Sequence, residues 1–194
     1  MTRREHGRKV VVTMFLSMDG VMEAPENWHK QFHNAEAQSF KHEELFASEA
    51  LLLGRRTYEI FASAWPQRSD EAGFAERMNS MAKYVVSSTL SEDIWTNSTI
   101  LSGDPFQQIV ELKSEPGGDL LVCGSRSLAH GLFRRGMVDE FRFLMDPIIL
   151  GNGERLLPVP GVQVDMELLE SRELQTGSLL CRYSVASNTQ QEAA

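Results

Sequence analysis

The period of the apolar positions changes several times along the chain, and each change marks an element. Lys9 to Phe15 is a β-branched run that stops at Ser17-Met18-Asp19-Gly20, which predicts a buried first strand ending in a turn. After a loop with Pro25 and Trp28, the stripe of Ala37, Phe40 and Leu45 behind Asn34 as N-cap predicts a helix reaching Ser48. Ala50 to Leu53 is a short, continuous apolar run closed by Gly54, the pattern of a strand covered on both faces. Tyr58, Phe61, Ala62 and Trp65 then recur at helical spacing, and Pro66 ends that helix.

The same plan repeats. Lys83 to Ser87 reads as a strand running into Ser88-Thr89, and Asp119 to Cys123 as a strand opening through Gly124 into a helix from Ser127 to Arg134. Between them lie a strand at Ser98 to Leu101 and a helix near Pro105 to Lys113. From Asp139 onward the segments Asp139–Leu144, Asp165–Glu173 and Leu179–Val185 look like longer strands with Gly-rich connections, expected to pair antiparallel. Strand–helix alternation followed by strands returning at one edge predicts an α/β fold: an open, mixed, mostly parallel sheet between flanking helices. No repeat or linker divides it, so one domain over 9–187 is expected, with frayed ends at 1–8 and 188–194.

Composition narrows the class. With 194 residues, 42% hydrophobic and 24% charged, the chain can bury a full core without disulfides or a structural metal. Its apolar runs fall far short of the roughly 20 residues that a bilayer span needs. The basic start lacks a signal-peptide pattern, so a cytoplasmic protein with no membrane partner is expected. The two cysteines, Cys123 and Cys181, sit in strand-like segments and read as buried thiols. A net charge of -8 with scattered basic residues argues against nucleic acid.

Chemistry concentrates at strand ends. In Gly54-Arg55-Arg56-Thr57 a strand end meets a helix start, where unpaired first-turn amides, the helix dipole and two guanidinium forks favour a phosphate. Two adjacent arginines suit a 2′-phosphate, hence NADPH over NADH. Gly124-Ser125-Arg126-Ser127-Leu128 repeats the arrangement, and two such turns at one sheet edge can clamp a diphosphate. Ser87 and Ser88 end a strand at the same edge and could meet an adenosine ribose or its phosphate. Asp19, beside Gly20, could orient a nicotinamide or a substrate hydroxyl. His42-Glu43-Glu44 lacks the Pro-Cys-x-x-Cys partner of a zinc deaminase, and no Gly-x-Ser-x-Gly elbow, Walker loop or Gly-x-Gly-x-x-Gly turn occurs.

The order of these motifs resembles the dihydrofolate reductase superfamily, and more closely the reductase domain of the bifunctional riboflavin-biosynthesis deaminase-reductase. The resemblance runs from Val10 to about Val185. It rests on Ser17-Met18-Asp19-Gly20, Gly54-Arg55-Arg56-Thr57, Val86-Ser87-Ser88, Gly124-Ser125, Val138-Asp139-Glu140 and Pro147-Ile148-Ile149-Leu150-Gly151-Asn152-Gly153. It implies a dihydrofolate-reductase-like three-layer fold and an NADPH-dependent reductase acting on a small pterin, pyrimidinone or ribosylamino-pyrimidine. By the same resemblance Gly54, Arg55, Arg56, Thr57, Ser87, Ser88, Gly124, Ser125, Arg126, Ser127 and Leu128 hold the cofactor, and Asp19 lies near the nicotinamide. It also implies a homodimer, with the Val138–Leu144 strand and the Pro147–Gly151 segment as contact surface. No deaminase half is present, and no residue matches the first-helix carboxylate of dihydrofolate reductases. Trp28, His33 and Glu36 are the candidate substrate contacts, and a water or a residue between Trp28 and Glu36 would supply a proton. The alternative function is a nucleotide-binding module without turnover.

Overall fold

In the computed structural model, residues 7–186 are described. Eight strands, β1 (Val10–Ser17), β2 (Ser48–Gly54), β3 (Ala82–Val86), β4 (Ser98–Leu101), β5 (Asp119–Cys123), β6 (Glu140–Asp146), β7 (Met166–Glu173) and β8 (Leu179–Val185), form one sheet in the order β4-β3-β2-β5-β1-β6-β8-β7. Strands β1 to β6 are parallel, whereas β8 pairs antiparallel with both β6 and β7, so β7 runs with the parallel set again. The helices are α1 (Ala35–Ala47), α2 (Arg55–Ala64), α3 (Phe74–Ser80), α4 (Pro105–Ser114) and α5 (Arg126–Phe133).

Successive side chains of a strand point to opposite faces, and in the central strands β1, β2 and β5 both faces are covered. Val10, Val12, Met14 and Leu16 of β1 pack with Ile109 and Leu112 of α4 and Leu128, Leu132 and Phe133 of α5. Val11, with Leu51, Leu53 and Leu121, packs against Leu45 of α1, Tyr58 of α2 and Met78 of α3. This is a three-layer arrangement with the sheet in the middle, and it explains the uninterrupted apolar runs of β2 and β5.

Three expectations change. The helix α3 was not foreseen, because seven residues with only Ala75 and Met78 buried show no period; its start is set by Asp70, whose carboxylate accepts the Phe74 and Ala75 amides, and by Gly73 at φ +74°. Arg8 is not part of a frayed start: it is 8% exposed, its amide donates to Lys113 O, and its guanidinium donates to Glu49. The expected fraying of 1–6 and 188–194 lies outside the described residues. The Val138–Leu144 segment cannot be an exposed dimer contact, since β6 is hydrogen-bonded on both sides and buried along most of its length.

The topology positions the site. β2 and β5 are neighbours, yet α2 leaves β2 onto one face of the sheet and α5 leaves β5 onto the other. Such a switch point opens a crevice at the carboxyl ends of the strands. On its β2 side, α2 is fixed by Tyr58, which is fully buried and whose hydroxyl accepts the Ile94 and Trp95 amides at 3.0 Å each. Tyr58→Phe strands both amides and is expected to lower stability by about 1–3 kcal/mol in denaturant unfolding at unchanged m-value; an unaltered midpoint would show that the hydroxyl anchors nothing.

Candidate functional site

Two glycine turns meet at the switch point. The Gly54 amide donates to Ser125 Oγ at 2.9 Å, and that hydroxyl donates on to Thr57 Oγ1 at 2.7 Å. Gly54 has an ordinary extended conformation, so its need is space: a Cβ there would lie 3.1 Å from Ser125 Oγ and 3.3 Å from Ser125 Cβ. Gly124 is needed for a different reason, a φ of +66°, followed by Ser125 at +59°. This double left-handed turn swings α5 so that its first turn faces the first turn of α2. The Ser125 hydroxyl is therefore spent on Thr57, and the groups left for an anion are the Thr57 hydroxyl proton, the first-turn amides and the dipoles of the two helices.

Around them runs one cleft of about 1890 Å³, lined by every residue assigned to the cofactor: Gly54, Arg55, Arg56, Thr57, Ser87, Ser88, Gly124, Ser125, Arg126, Ser127 and Leu128. Arg55 is tied down, its guanidinium donating to Glu59 at 2.8 Å and to Thr89 Oγ1 at 2.6 Å. The Arg56 guanidinium has no protein partner among the described residues. Ser87 Oγ caps its own turn by accepting the Thr89 and Leu90 amides. Arg126 donates to Arg155 O at 2.6 Å, and Leu128 is buried beneath the Gly54 turn.

The far half of the cleft lies between α1, α2 and β1. Its walls include Phe15, His29, His33, Leu45, Phe61, Trp65 and Phe74. On its floor, Lys41 of α1 donates to Thr13 Oγ1 at 2.8 Å and is paired with Glu44, whose side chain is almost fully buried. Arg142 approaches the other Glu44 oxygen at 3.7 Å. Cys123 also lines this floor, and burial pushes its thiol up to about 12, which removes thiolate chemistry at neutral pH. Of the three candidate substrate contacts, only His33 lines the cleft. Trp28 is buried with its indole donating to Glu23 O, and Glu36 faces away, accepting the Gln175 amide at 2.9 Å. His29, Lys41 and Glu44 were not singled out from sequence as contacts.

Asp19 has a different task from the one expected. It is absent from the cleft wall, and its carboxylate accepts from Ser17 Oγ, the Leu150 and Gly151 amides and Arg155. These bonds, the Ser17 hydroxyl foremost, hold its carboxyl far below the usual carboxylate range. Arg155 in turn offers its carbonyl to Arg126, so the clamp steadies the first residue of α5 at one remove. A carboxyl depressed on folding adds stability above its ordinary value of 3.8 and loses it as pH falls towards the folded value. The stability difference between the protein and Asp19→Asn should thus be constant near neutral pH and shrink in acid; denaturant curves showing a gap that does not vary with pH would contradict the clamp.

No helix among the described residues is long and apolar enough to cross a membrane. With this geometry in hand, comparison with known proteins adds the lineage. A curated relative, the uncharacterized protein YyaP of Bacillus subtilis (strain 168), is 24% identical over 180 residues, covering 91% of this chain and 95% of its own. Among solved structures, a Shewanella sp. PV-4 protein named for riboflavin biosynthesis superposes with a TM-score of 0.73 at 16% identity, covering 92% of this chain and 99% of that one. Dihydrofolate reductase from Enterococcus faecalis, complexed with NADP(H) and RAB-propyl, superposes at 0.63 and 14% identity, covering 91% and 96%. These likenesses show the dihydrofolate-reductase-like fold. The RibD C-terminal domain model matches residues 8–180, and the chain belongs to that family.

Proposed function

We propose that the protein is an NADPH-dependent reductase of a small heterocyclic or sugar-derived compound of the pterin, pyrimidinone or ribosylamino-pyrimidine type. The observation that carries this reading is the 2.9 Å contact between the Gly54 amide and Ser125 Oγ, which sets two helix N-termini against one crevice. The residues fit such a cofactor. Gly54 lets the two turns approach closely, Gly124 makes the turn, and the exposed Arg56 has no ion-pair partner among the described residues. The first-turn amides of α2 and α5 would hold the diphosphate, Arg55 and Arg56 the 2′-phosphate, and Ser87 and Ser88 the adenosine side.

When bound, NADPH supplies a hydride. The chain's own part is to bind, orient and exclude water. The aromatic walls at Phe15, Phe61 and Trp65 suit a flat ring, and the buried Lys41–Glu44 pair offers it polar partners on the floor. For the expected homodimer, the Pro147–Gly151 segment keeps Ile149 exposed, and the edge strand β7, exposed along nearly its whole length with Met166, Leu168 and Leu169 in the open, is a second fitting surface. Light scattering should give twice the 21.8 kDa chain mass, and a monomer at micromolar concentration would refute that contact.

Titration of NADPH fluorescence tests the function. Binding with oxidation across a panel of dihydropterin, pyrimidinone and ribosylaminopyrimidine supports a reductase; binding without oxidation supports the module that kept the cleft and lost turnover; absence of binding removes both. Replacing Arg55 and Arg56 together with Ala is expected to weaken NADPH by roughly 10-fold or more, the worth of charge-assisted hydrogen bonds, and NADH much less. Equal losses for the two would refute the 2′-phosphate assignment.

A further inference from the structure

At the cleft wall, away from the glycine turns, an imidazole is held by a carboxylate buried behind it. His29 Nδ1 lies 2.7 Å from Asp146 Oδ2. Asp146 ends β6 and has no exposed surface, and its other oxygen accepts from Ser178 Oγ at 2.7 Å. Burial without a partner would strongly disfavour this carboxylate, and among the described residues His29 is the one cation-capable group bonded to it. The imidazole is fixed from its other sides as well. Its ring stacks on Phe15 of β1 with centroids 3.8 Å apart, and the preceding residue, Trp28, is buried and anchored to Glu23 O. Yet His29 is 12% exposed and lines the cleft.

That arrangement selects a tautomer. With Nδ1–H given to Asp146, the nitrogen left for a ligand is Nε2. Of the other titratable groups on the cleft wall, Lys41 is committed to Thr13 and Glu44, His42 to Ala72 O, Asp70 to the start of α3 and Glu23 to the Glu154 amide, while among the described residues nothing orients the carboxylates of Glu26 and Glu154. His33, whose ring centroid is 6.4 Å from that of His29, has no carboxylate to orient it. The position also suits the chemistry. Across the sheet the order is β2, β5, β1, β6, so the Asp146 strand lies two steps from the Gly124 strand, roughly 10 Å at the usual strand spacing. A dinucleotide with its diphosphate between β2 and β5 would extend over β1, beside the Phe15–His29 stack.

We infer that His29, oriented by Asp146, is the proton donor to the substrate in this cleft. This rests on the reductase reading. The substrate carbon of a C=N or C=O bond takes the hydride with its two electrons, the π pair moves to the nitrogen or oxygen, and that atom takes the proton from His29 Nε2. The products are the reduced substrate, oxidised cofactor and a neutral imidazole, which regains its proton from solvent at the cleft mouth. Asp146 is a positioning residue: it fixes the ring and offsets the imidazolium charge, in the way a buried aspartate serves a hydrolase histidine.

Two measurements decide it. In protein labelled with 15N-histidine and saturated with NADP+, the neutral His29 ring should carry its proton on Nδ1, hydrogen-bonded to Asp146, and Asp146→Asn should abolish that fixed tautomer. With the panel substrate that oxidises NADPH, His29→Gln should lower kcat about 100-fold while NADPH affinity and KM stay within about twofold, and imidazole should restore part of the rate to His29→Ala. A neutral ring that carries its proton on Nε2 with Nδ1 bare, or a Gln variant that binds NADPH and turns over at the wild-type rate, overturns this inference alone. Failure of the wild-type protein to bind NADPH overturns the reductase reading itself.

Discussion

The bond from the Gly54 amide to the Ser125 hydroxyl, passed on to Thr57, is the contact around which the molecule is organised. It joins the ends of two neighbouring parallel strands whose helices leave onto opposite faces of the sheet. A Cβ at position 54 would press on Ser125 at 3.1 Å, tighter than an ordinary contact, and the left-handed φ at position 124 is strained for any other residue. Two helix N-termini thus face one another across a gap with their first-turn amides unspent. Positive potential collects there without any lysine, in a chain whose net charge is -8.

From that contact the cleft divides into two halves of different chemistry. The half between β2 and β5 offers backbone donors and arginines, suited to phosphates. The half between α1, α2 and β1 holds its polar groups in pairs, Lys41 with Glu44 and His29 with Asp146, among aromatic rings. Such pairs add little net stability, because desolvation offsets most of their attraction. Their value lies in presenting polar groups at fixed places to a flat ligand. Behind both halves, the Asp19–Arg155–Arg126 chain links the end of β1 to the start of α5, so loops distant in sequence hold one geometry.

Much of this was legible from the residues because it is local. Strands that end in glycine before a helix announce themselves in a few positions, as at Leu53-Gly54 and Cys123-Gly124, and uninterrupted apolar runs betray strands covered on both faces. What escaped notice depends on long-range partners. Asp19 resembles an ordinary Asp-Gly turn until Gly151 and Arg155, more than a hundred residues on, close around it. His29 and Asp146 are 117 residues apart, and neither carries a local pattern that points to the other. Glu36 sits one residue from Ala37, which faces the core, and that single step along α1 turns its carboxylate outward to the turn between β7 and β8.

The central claim is that both glycine turns grip one diphosphate. A crystal structure of the protein with NADP+ tests it most directly. The account requires the diphosphate oxygens to lie within hydrogen-bond distance of first-turn amides of α2, near Arg56 and Thr57, and of α5, near Ser127 and Leu128. A dinucleotide bound along either helix alone, or elsewhere in the cleft with these amides facing water, would contradict it.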